Sequence, residues 1–449
     1  MRYIPHTEAV VRRMLDVIGA RTVDELFAVI PEALRLKRPL DLPPALAEPD
    51  LLRHLEGLAA KNAHAGRATS FLGGGAYDHY VPQAVDQLLL RSEFYTAYTP
   101  YQPEVAQGTL QAIFEFQTLV CQLFGMEAAN ASLYDGGSAL AEAVLMAGRV
   151  TRRRKFLVAR SVNPQYRRIV ATYTKHLGWE PVEAPCGADG RVDPAALAGA
   201  IDDRTACVAV QSPNYFGVVE DLSAMAKAVA GSGALFVTTF TEPLAYGLLS
   251  PPGAFGADIV CGEGQSLGLP MSFGGPHLGR FATREKYIRQ MPGRLCGQTV
   301  DARGARGFVL TLSTREQHIR REKATSNICT NQALCALGST IYLTLLGRQG
   351  LRRLAQANLD LAEYARRALC AVPGVRAAFS APTFNEFVIR SDRPSAEFLA
   401  ALPGDFFGGI DVSADYPELE DSLLLCVTDV HRRGDIDRLA SEWRAAGAA

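Results

Sequence analysis

Lysine is the side chain that captures aldehyde cofactors and carbonyl substrates as imines, and this chain uses it sparingly. Of its 46 basic residues only seven are lysine, at positions 37, 61, 155, 175, 227, 286 and 323, so any lysine-dependent chemistry can be checked candidate by candidate. The eight histidines include no His-x-x-x-His pair, and the nine cysteines (121, 186, 207, 261, 296, 329, 335, 370 and 426) include no Cys-x-x-Cys. No metal site is therefore expected, and the thiols read as reduced residues filling core positions. Neither Gly-x-Ser-x-Gly nor another local nucleophile signature occurs.

Four stretches carry residue types that could build a site. Thr96-Ala-Tyr-Thr-Pro-Tyr-Gln-Pro-Glu-Val-Ala-Gln-Gly108 sets Tyr98 and Tyr101 beside prolines, with Tyr95 just upstream and Gln102 within it. Such a stiff aromatic loop could wall a substrate channel, although a packed loop or a subunit contact is the commoner use. Asp135-Gly-Gly-Ser138 leads into an Ala/Leu/Met-rich helix. Gly136, Gly137 and Ser138 could cradle a phosphate at the helix N-terminus, or simply cap it. Gly262-Glu-Gly-Gln265-Ser-Leu-Gly268 resembles a dinucleotide fingerprint but has its third glycine one place late, and Pro270 and Pro276 forbid the helix such a site needs. Arg320–Thr330 sets bases and hydroxyls ahead of an apolar run; Thr325, Ser326 and Asn327 could reach an anion, even across a subunit boundary, or cap a helix.

These stretches need elements to hold them. Thr7 can cap a helix lined by Val10, Val11, Met14, Leu15 and Ile18. Thr22-Val-Asp-Glu25 has capping-box form ahead of a second helix, and Leu51–Ala60 is a third amphipathic stretch. The apolar runs Phe156–Ala159, Cys207–Val210, Leu235–Val237 and Ile259–Cys261 do not alternate, and helical stretches (164–177, 222–230) lie between them. That pattern predicts a mostly parallel sheet covered on both faces. Helices over 331–346 and 351–371 then lead to a small α+β region with strands at 386–389 and 423–427, a helix near 395–402 and a closing helix from Asp435. The divisions expected are an N-terminal helical segment (1–65), a large α/β domain (66–330) and linking helices with a small domain (331–449). This is the layout of fold-type I, aminotransferase-like enzymes. With 48% hydrophobic and 21% charged residues and a formal net charge of −1, the chain has an ordinary globular composition and lays out no field for nucleic acid or anionic membranes. No apolar run approaches the roughly 20 residues of a bilayer span, and Met1–Ala20 shows no signal-peptide core. The cytoplasm is the expected location.

Together, Thr96–Gly108, Asn130-Ala-Ser-Leu133, Pro251-Pro-Gly253, Gly256-Ala-Asp-Ile259, Gly274-Gly-Pro-His277 and Arg321–Thr330 closely resemble the P-protein of the glycine cleavage system, in its N-terminal half or first subunit. The likeness runs from about Arg2 to the last helix, and the chain's length fits the split, two-subunit form. The resemblance implies a fold-type I pyridoxal-phosphate-enzyme fold. It also implies a cofactor lysine in a second subunit, followed by a proline and a glycine run. Laid on this chain through Pro270 and Gly274-Gly-Pro276, that pattern puts Gln265 in the lysine's place. The aspartate expected after the strand at 235–237 is absent too; Glu242, beside Pro243, is the only acid there. An amide forms no Schiff base, so the resemblance implies a non-catalytic subunit without covalently bound cofactor, whose Gly136-Gly137-Ser138 loop is the vestige of a phosphate cup.

The same resemblance implies an α2β2 assembly in which the partner carries pyridoxal phosphate, decarboxylates glycine and passes the aminomethyl group to the lipoyl arm of H-protein. In such an assembly Tyr95, Tyr98, Tyr101 and Gln102 would line the partner's substrate channel, and Thr325, Ser326 and Asn327 would reach its cofactor. Two alternatives stay open. One is a self-sufficient aminotransferase-like enzyme using Lys286 or Lys323; the other is a purely structural partner.

Overall fold

A computed structural model describes residues 5–448; Met1–Ile4, where the N-terminal reading and the resemblance begin, and Ala449 lie outside them. The chain divides after Ala63 into two compact units. In the first, helix α1 (Glu8–Ile18) starts at Thr7, whose hydroxyl accepts from Val10 N, and stops at Gly19 in the left-handed conformation. Thr22 also caps, but it opens a 3-10 turn over Val23–Phe27 and not the expected α-helix. Glu25 bends back to the Arg21 N–H and guanidinium (both 2.8 Å), and Pro31 comes soon after, so the turn has no room to propagate. Helix α2 spans Glu48–Ala59.

The second unit is built on a seven-stranded sheet. Its strands are β1 (Ala128–Ala129), β2 (Lys155–Ala159), β3 (Glu180–Ala184), β4 (Thr205–Gln211), β5 (Leu235–Phe240), β6 (Ile259–Glu263) and β7 (Gly279–Thr283), in the spatial order β1-β7-β6-β5-β4-β2-β3. The five strands from β3 to β6 run parallel, while at one edge β7 runs antiparallel to β6 and β1 antiparallel to β7. Every residue of β2, β4, β5 and β6 is buried, which explains their unbroken apolar runs: helices cover both faces. Those helices include α3 (Gln107–Phe124), α4 (Gly136–Thr151), α5 (Pro164–Thr174) and α6 (Leu222–Val229).

Next in the chain is a hairpin of β8 (Leu295–Val300) and β9 (Arg306–Thr311), which the sequence pattern did not reveal. Helix α7 (Ala333–Cys370) is two helices meeting at Gly347, whose φ of 58° and ψ of −179° belong to glycine alone, as the two predicted helical stretches require. It leads to a four-stranded antiparallel sheet, order β10 (Val375–Ala377), β11 (Glu386–Ser391), β13 (Ser422–Cys426), β12 (Ile410–Asp411), closed by helix α8 (Arg433–Ala448). Phe71, Phe387, Ile389, Leu423, Leu425 and Trp443 form the core of this smaller layer. Among the described residues no helix is long and apolar enough to cross a membrane.

Candidate functional site

In an open parallel sheet the ligand site lies beyond the carboxyl ends of the strands. Here that edge is occupied by the chain itself. The loop after β6 buries Gln265, whose Oε1 accepts from Tyr77 N (2.9 Å) while Nε2 donates to Tyr77 O (3.0 Å) and Leu269 O (2.7 Å). The amide thus clamps two backbone segments together. None of the seven lysines stands in the loop after β6. Lys155 is bonded to the Ala200 carbonyl and Asp202, and the other six, including Lys286 and Lys323, are exposed.

The glycine loop at the start of α4 is filled from within. Asp135 and Ser138 form a reciprocal capping box. Gly136 N donates to Glu263 Oε2 (3.0 Å), and Glu263 Oε1 accepts from Gly264 N, Gln265 N and Leu278 N (3.0, 3.0 and 2.8 Å). Four backbone N–H groups and the positive end of α4 therefore surround a carboxylate that belongs to the chain, where a phosphate would otherwise be cradled. His277 stands 3.5 Å away, and its pKa is raised by its hydrogen bond to Glu263. A Cβ on Gly136 would collide with the Tyr166 hydroxyl, so that side is full as well. An amide in place of an amine and an anion pocket holding an internal carboxylate do not fit pyridoxal phosphate.

Glu242 lies just past the end of β5 and is engaged throughout. Its Oε1 caps the next turn at Leu244 N (3.0 Å) and accepts from Ser266 Oγ (2.7 Å), while Oε2 takes Asn385 Nδ2 (3.2 Å) and His79 Nε2 (2.9 Å). His79 also meets Asp429 through Nδ1 (2.5 Å). Burial pulls the imidazole pKa down, but the two carboxylates outweigh it and raise it to about 10, so the ring is an imidazolium between two anions. Tyr77 Oη lies 2.8 Å from both Thr241 Oγ1 and Glu386 Oε2. Glu386 is buried, which pushes its pKa up to about 7 despite the N–H of Gly74 and the Tyr77 hydroxyl bonded to it. The segment Gly73–Tyr80 thus threads between the large sheet and the small domain and occupies the pocket. Three consecutive glycines followed closely by Tyr77 and His79 were the available signal.

The two remaining stretches lie at the surface. Tyr95, Tyr98 and Tyr101 are 62%, 84% and 56% exposed, and Gln102 is exposed as well, so most of their surface is open. Thr325 and Ser326 are half-buried and Asn327 is exposed. Ser326 Oγ accepts from Ile328 N (3.0 Å), stiffening the segment, but helix α7 starts only at Ala333, so these residues do not cap it.

Arg294, to which no motif in the sequence points, joins the two. Its guanidinium bonds Asn331 Oδ1 (2.8 Å), Cys329 O (3.1 Å) and Tyr101 Oη (3.4 Å), and lies 5.7 Å from the Tyr101 ring centroid. Tyr134, immediately before the α4 cap, accepts from Cys329 N (2.9 Å). Arg294 is buried between apolar neighbours in Pro292-Gly-Arg-Leu-Cys296, and a charge in so apolar a setting was the signal that could have marked it.

This architecture has recorded relatives. The glycine cleavage system P-protein family model matches residues 1–442. A probable glycine dehydrogenase (decarboxylating) subunit 1 from Brevibacillus brevis is 51% identical over 445 residues, covering 99% of this chain and 98% of that one. Its namesake from Bacillus cereus strain B4264 is 50% identical, covering 99% of both. Among solved structures, a crystal structure of glycine decarboxylase (P-protein) in inhibitor-bound form superposes with a TM-score of 0.90 at 44% identity, over 99% of this chain and all of that one. A Burkholderia pseudomallei sphingosine-1-phosphate lyase, at 17% identity and a TM-score of 0.65, shares the fold, covering 93% of this chain and 94% of its own. A doubly covered parallel sheet with a small C-terminal layer, a match over nearly every residue and half of all positions identical leave one assignment: the chain belongs to the glycine cleavage system P-protein family.

Proposed function

We propose that this chain is the non-catalytic first subunit of a glycine-decarboxylating enzyme. It pairs, as α2β2 and in the cytoplasm, with a second subunit that holds pyridoxal phosphate, decarboxylates glycine and hands the aminomethyl group to lipoylated H-protein. The observation that carries this reading is the closed pocket. Gln265 is bonded on both sides of its amide and Glu263 sits in the anion hole, which leaves no amine and no open phosphate cradle in this pocket.

Its contribution to the partner is then a surface. Tyr95, Tyr98, Tyr101 and Gln102 supply a rigid aromatic wall for the partner's substrate channel, and Thr325, Ser326 and Asn327 supply hydroxyl and amide donors near the partner's phosphate. What supports this is the exposure of the tyrosines and the Arg294 tie that sets both stretches side by side. A self-sufficient enzyme using Lys286 or Lys323 is disfavoured by the exposure of both and their remoteness in sequence from the loop after β6.

The test mixes this chain with its partner subunit and measures glycine-dependent carbon dioxide exchange. Neither subunit alone should turn over, and the mixture should. In the mixture, replacing Thr325 and Asn327 by alanine should weaken the partner's retention of cofactor; unchanged retention would remove that role. Tyr98→Ala with Tyr101→Ala should lower turnover while assembly persists, whereas loss of assembly first would mark the loop as structural.

A further inference from the structure

A second feature lies at the opposite end of α4, where the helix stops and β2 begins. The helix spans 16 residues, so at 1.5 Å per residue this place is about 24 Å from the glycine loop. A cavity of about 920 Å³ opens here, walled by Arg149, Arg152, Arg153, Arg154, His176 and Trp179, and no acidic residue lines it. Acids on neighbouring segments are engaged elsewhere, Asp202 with Lys155 (2.9 Å) and Glu180 with Arg204 (2.7 Å), while buried Glu142 faces Arg149 behind the wall.

Two of the arginines build the walls. Arg153 Nη1 donates to the Thr205 and Ser232 carbonyls (3.0 and 3.1 Å), and Arg149 Nη2 donates to the Gln290 carbonyl (3.1 Å) while its charge faces Glu142. Arg154 uses Nη1 to hold the Leu177 carbonyl (2.7 Å), which fixes the turn bearing His176 and Trp179, and leaves its other donors open. Arg152 is exposed and forms no side-chain bond or ion pair with any described residue; its backbone is locked in the left-handed conformation (φ 60°) that ends the helix. Trp179 packs edge-on against Phe156 (5.9 Å, 67°) and against the face of Gly148, so it is anchored as a rigid apolar wall. A cation at a helix C-terminus complements the helix dipole, but that need is met by one arginine. It does not account for three in succession around a cavity whose lining holds no acid.

We infer that this cavity binds an oligophosphate, either bare or as the tail of a nucleotide. Guanidinium forks match phosphate oxygens in pairs, and the unpaired fork of Arg152 with the remaining donors of the anchored Arg154 suits adjacent phosphate groups better than a single carboxylate. Walls that are already bonded lose little freedom when the ligand arrives.

The chain carries its own reporter. It has two tryptophans, and Trp443 is 1% exposed in the small-domain core, so a ligand in this cavity changes emission through Trp179. Pyrophosphate, and separately ATP, is titrated into the full-length chain at constant ionic strength, with tryptophan emission and calorimetric heat both recorded. Saturable binding is expected, weakened at least tenfold by Arg152→Glu, an exposed position whose melting temperature should not move. Arg154→Lys, which keeps the charge and can still reach the Leu177 carbonyl, should weaken binding less. Equal affinities for the two ligands assign the site to bare phosphate, and tighter ATP binding assigns it to a nucleotide. Heat and emission that fail to saturate, or saturate equally with Arg152→Glu, would overturn the inference.

Discussion

Gln265 and Glu263 show how two side chains change what a pocket can hold. The amide satisfies three backbone groups inside the protein, and leaving such groups bare costs about 1–3 kcal/mol each. Gln265→Ala should therefore lower the unfolding free energy by a few kcal/mol, read from a denaturant midpoint, without loss of any bound cofactor. Gln265→Lys restores only the amine. Because Glu263 still fills the anion hole, the purified variant treated with pyridoxal phosphate and borohydride should carry no adduct at position 265 by peptide mass. An adduct there in good yield would show that the pocket was merely missing its lysine.

His79 gives a pH signature. Its folded pKa of about 10 lies above the 6.5 of an unfolded histidine, so its contribution to stability is complete below pH 6.5 and disappears as pH rises through 10. Between pH 7 and 10 the wild-type unfolding free energy should fall, by an amount on the order of a few kcal/mol, and His79→Gln should flatten that slope. Equal slopes in both proteins would mean that the imidazolium is not held between Glu242 and Asp429.

At the scale of elements, Arg294 is the bolt between two surface stretches that are about 230 residues apart in the chain. Removing one partner of a buried, charge-assisted network leaves the others unpaired, typically at about 3 kcal/mol or more. Arg294→Ala should thus both destabilise the chain and speed amide exchange selectively over 95–105 and 325–331. Uniform exchange across the molecule would deny it that local role. Lysine is not a substitute, because a single ammonium cannot reproduce the planar fork that meets Asn331, Cys329 and Tyr101 together.

Gly347 is a different kind of element-level device. No atom lies within 4 Å of where its Cβ would sit, so Gly347→Ala meets no clash. It should still lose about 1–3 kcal/mol of unfolding free energy in a denaturant titration, because the backbone there occupies a region open only to glycine. A neutral result would show that the two halves of α7 straighten freely.

At the scale of the molecule, the large sheet and the small domain share one pocket rim, and the chain's own Gly73–Tyr80 segment runs along it. Tyr77 and Gly74 bond Glu386 of the small domain, while Tyr77 also bonds Thr241 and Gln265 of the large one. The rim that a ligand would hold closed is held closed by polypeptide. Outside that rim the chain presents the exposed aromatic surface of Tyr95, Tyr98 and Tyr101.

The sequence by itself determined the layered α/β plan, because unalternating apolar strands between amphipathic helices have few other ways to bury both faces. It also determined that an amide, Gln265, and not a lysine stands in the loop after the strand at 259–261, and it determined the family, through motifs spread along the whole chain. Only the tertiary structure decided what fills the pocket. Glu263 and Gln265 are close in sequence to each other but not to Gly136 or Tyr77, which they bind, and periodicity carries no information on such distant encounters. The same holds for Arg294, for the hairpin of β8 and β9, and for the arginine-lined cavity, whose walls come from segments brought together by the sheet. Local pattern sets which elements form; the long-range contacts that close a site arise only when those elements pack.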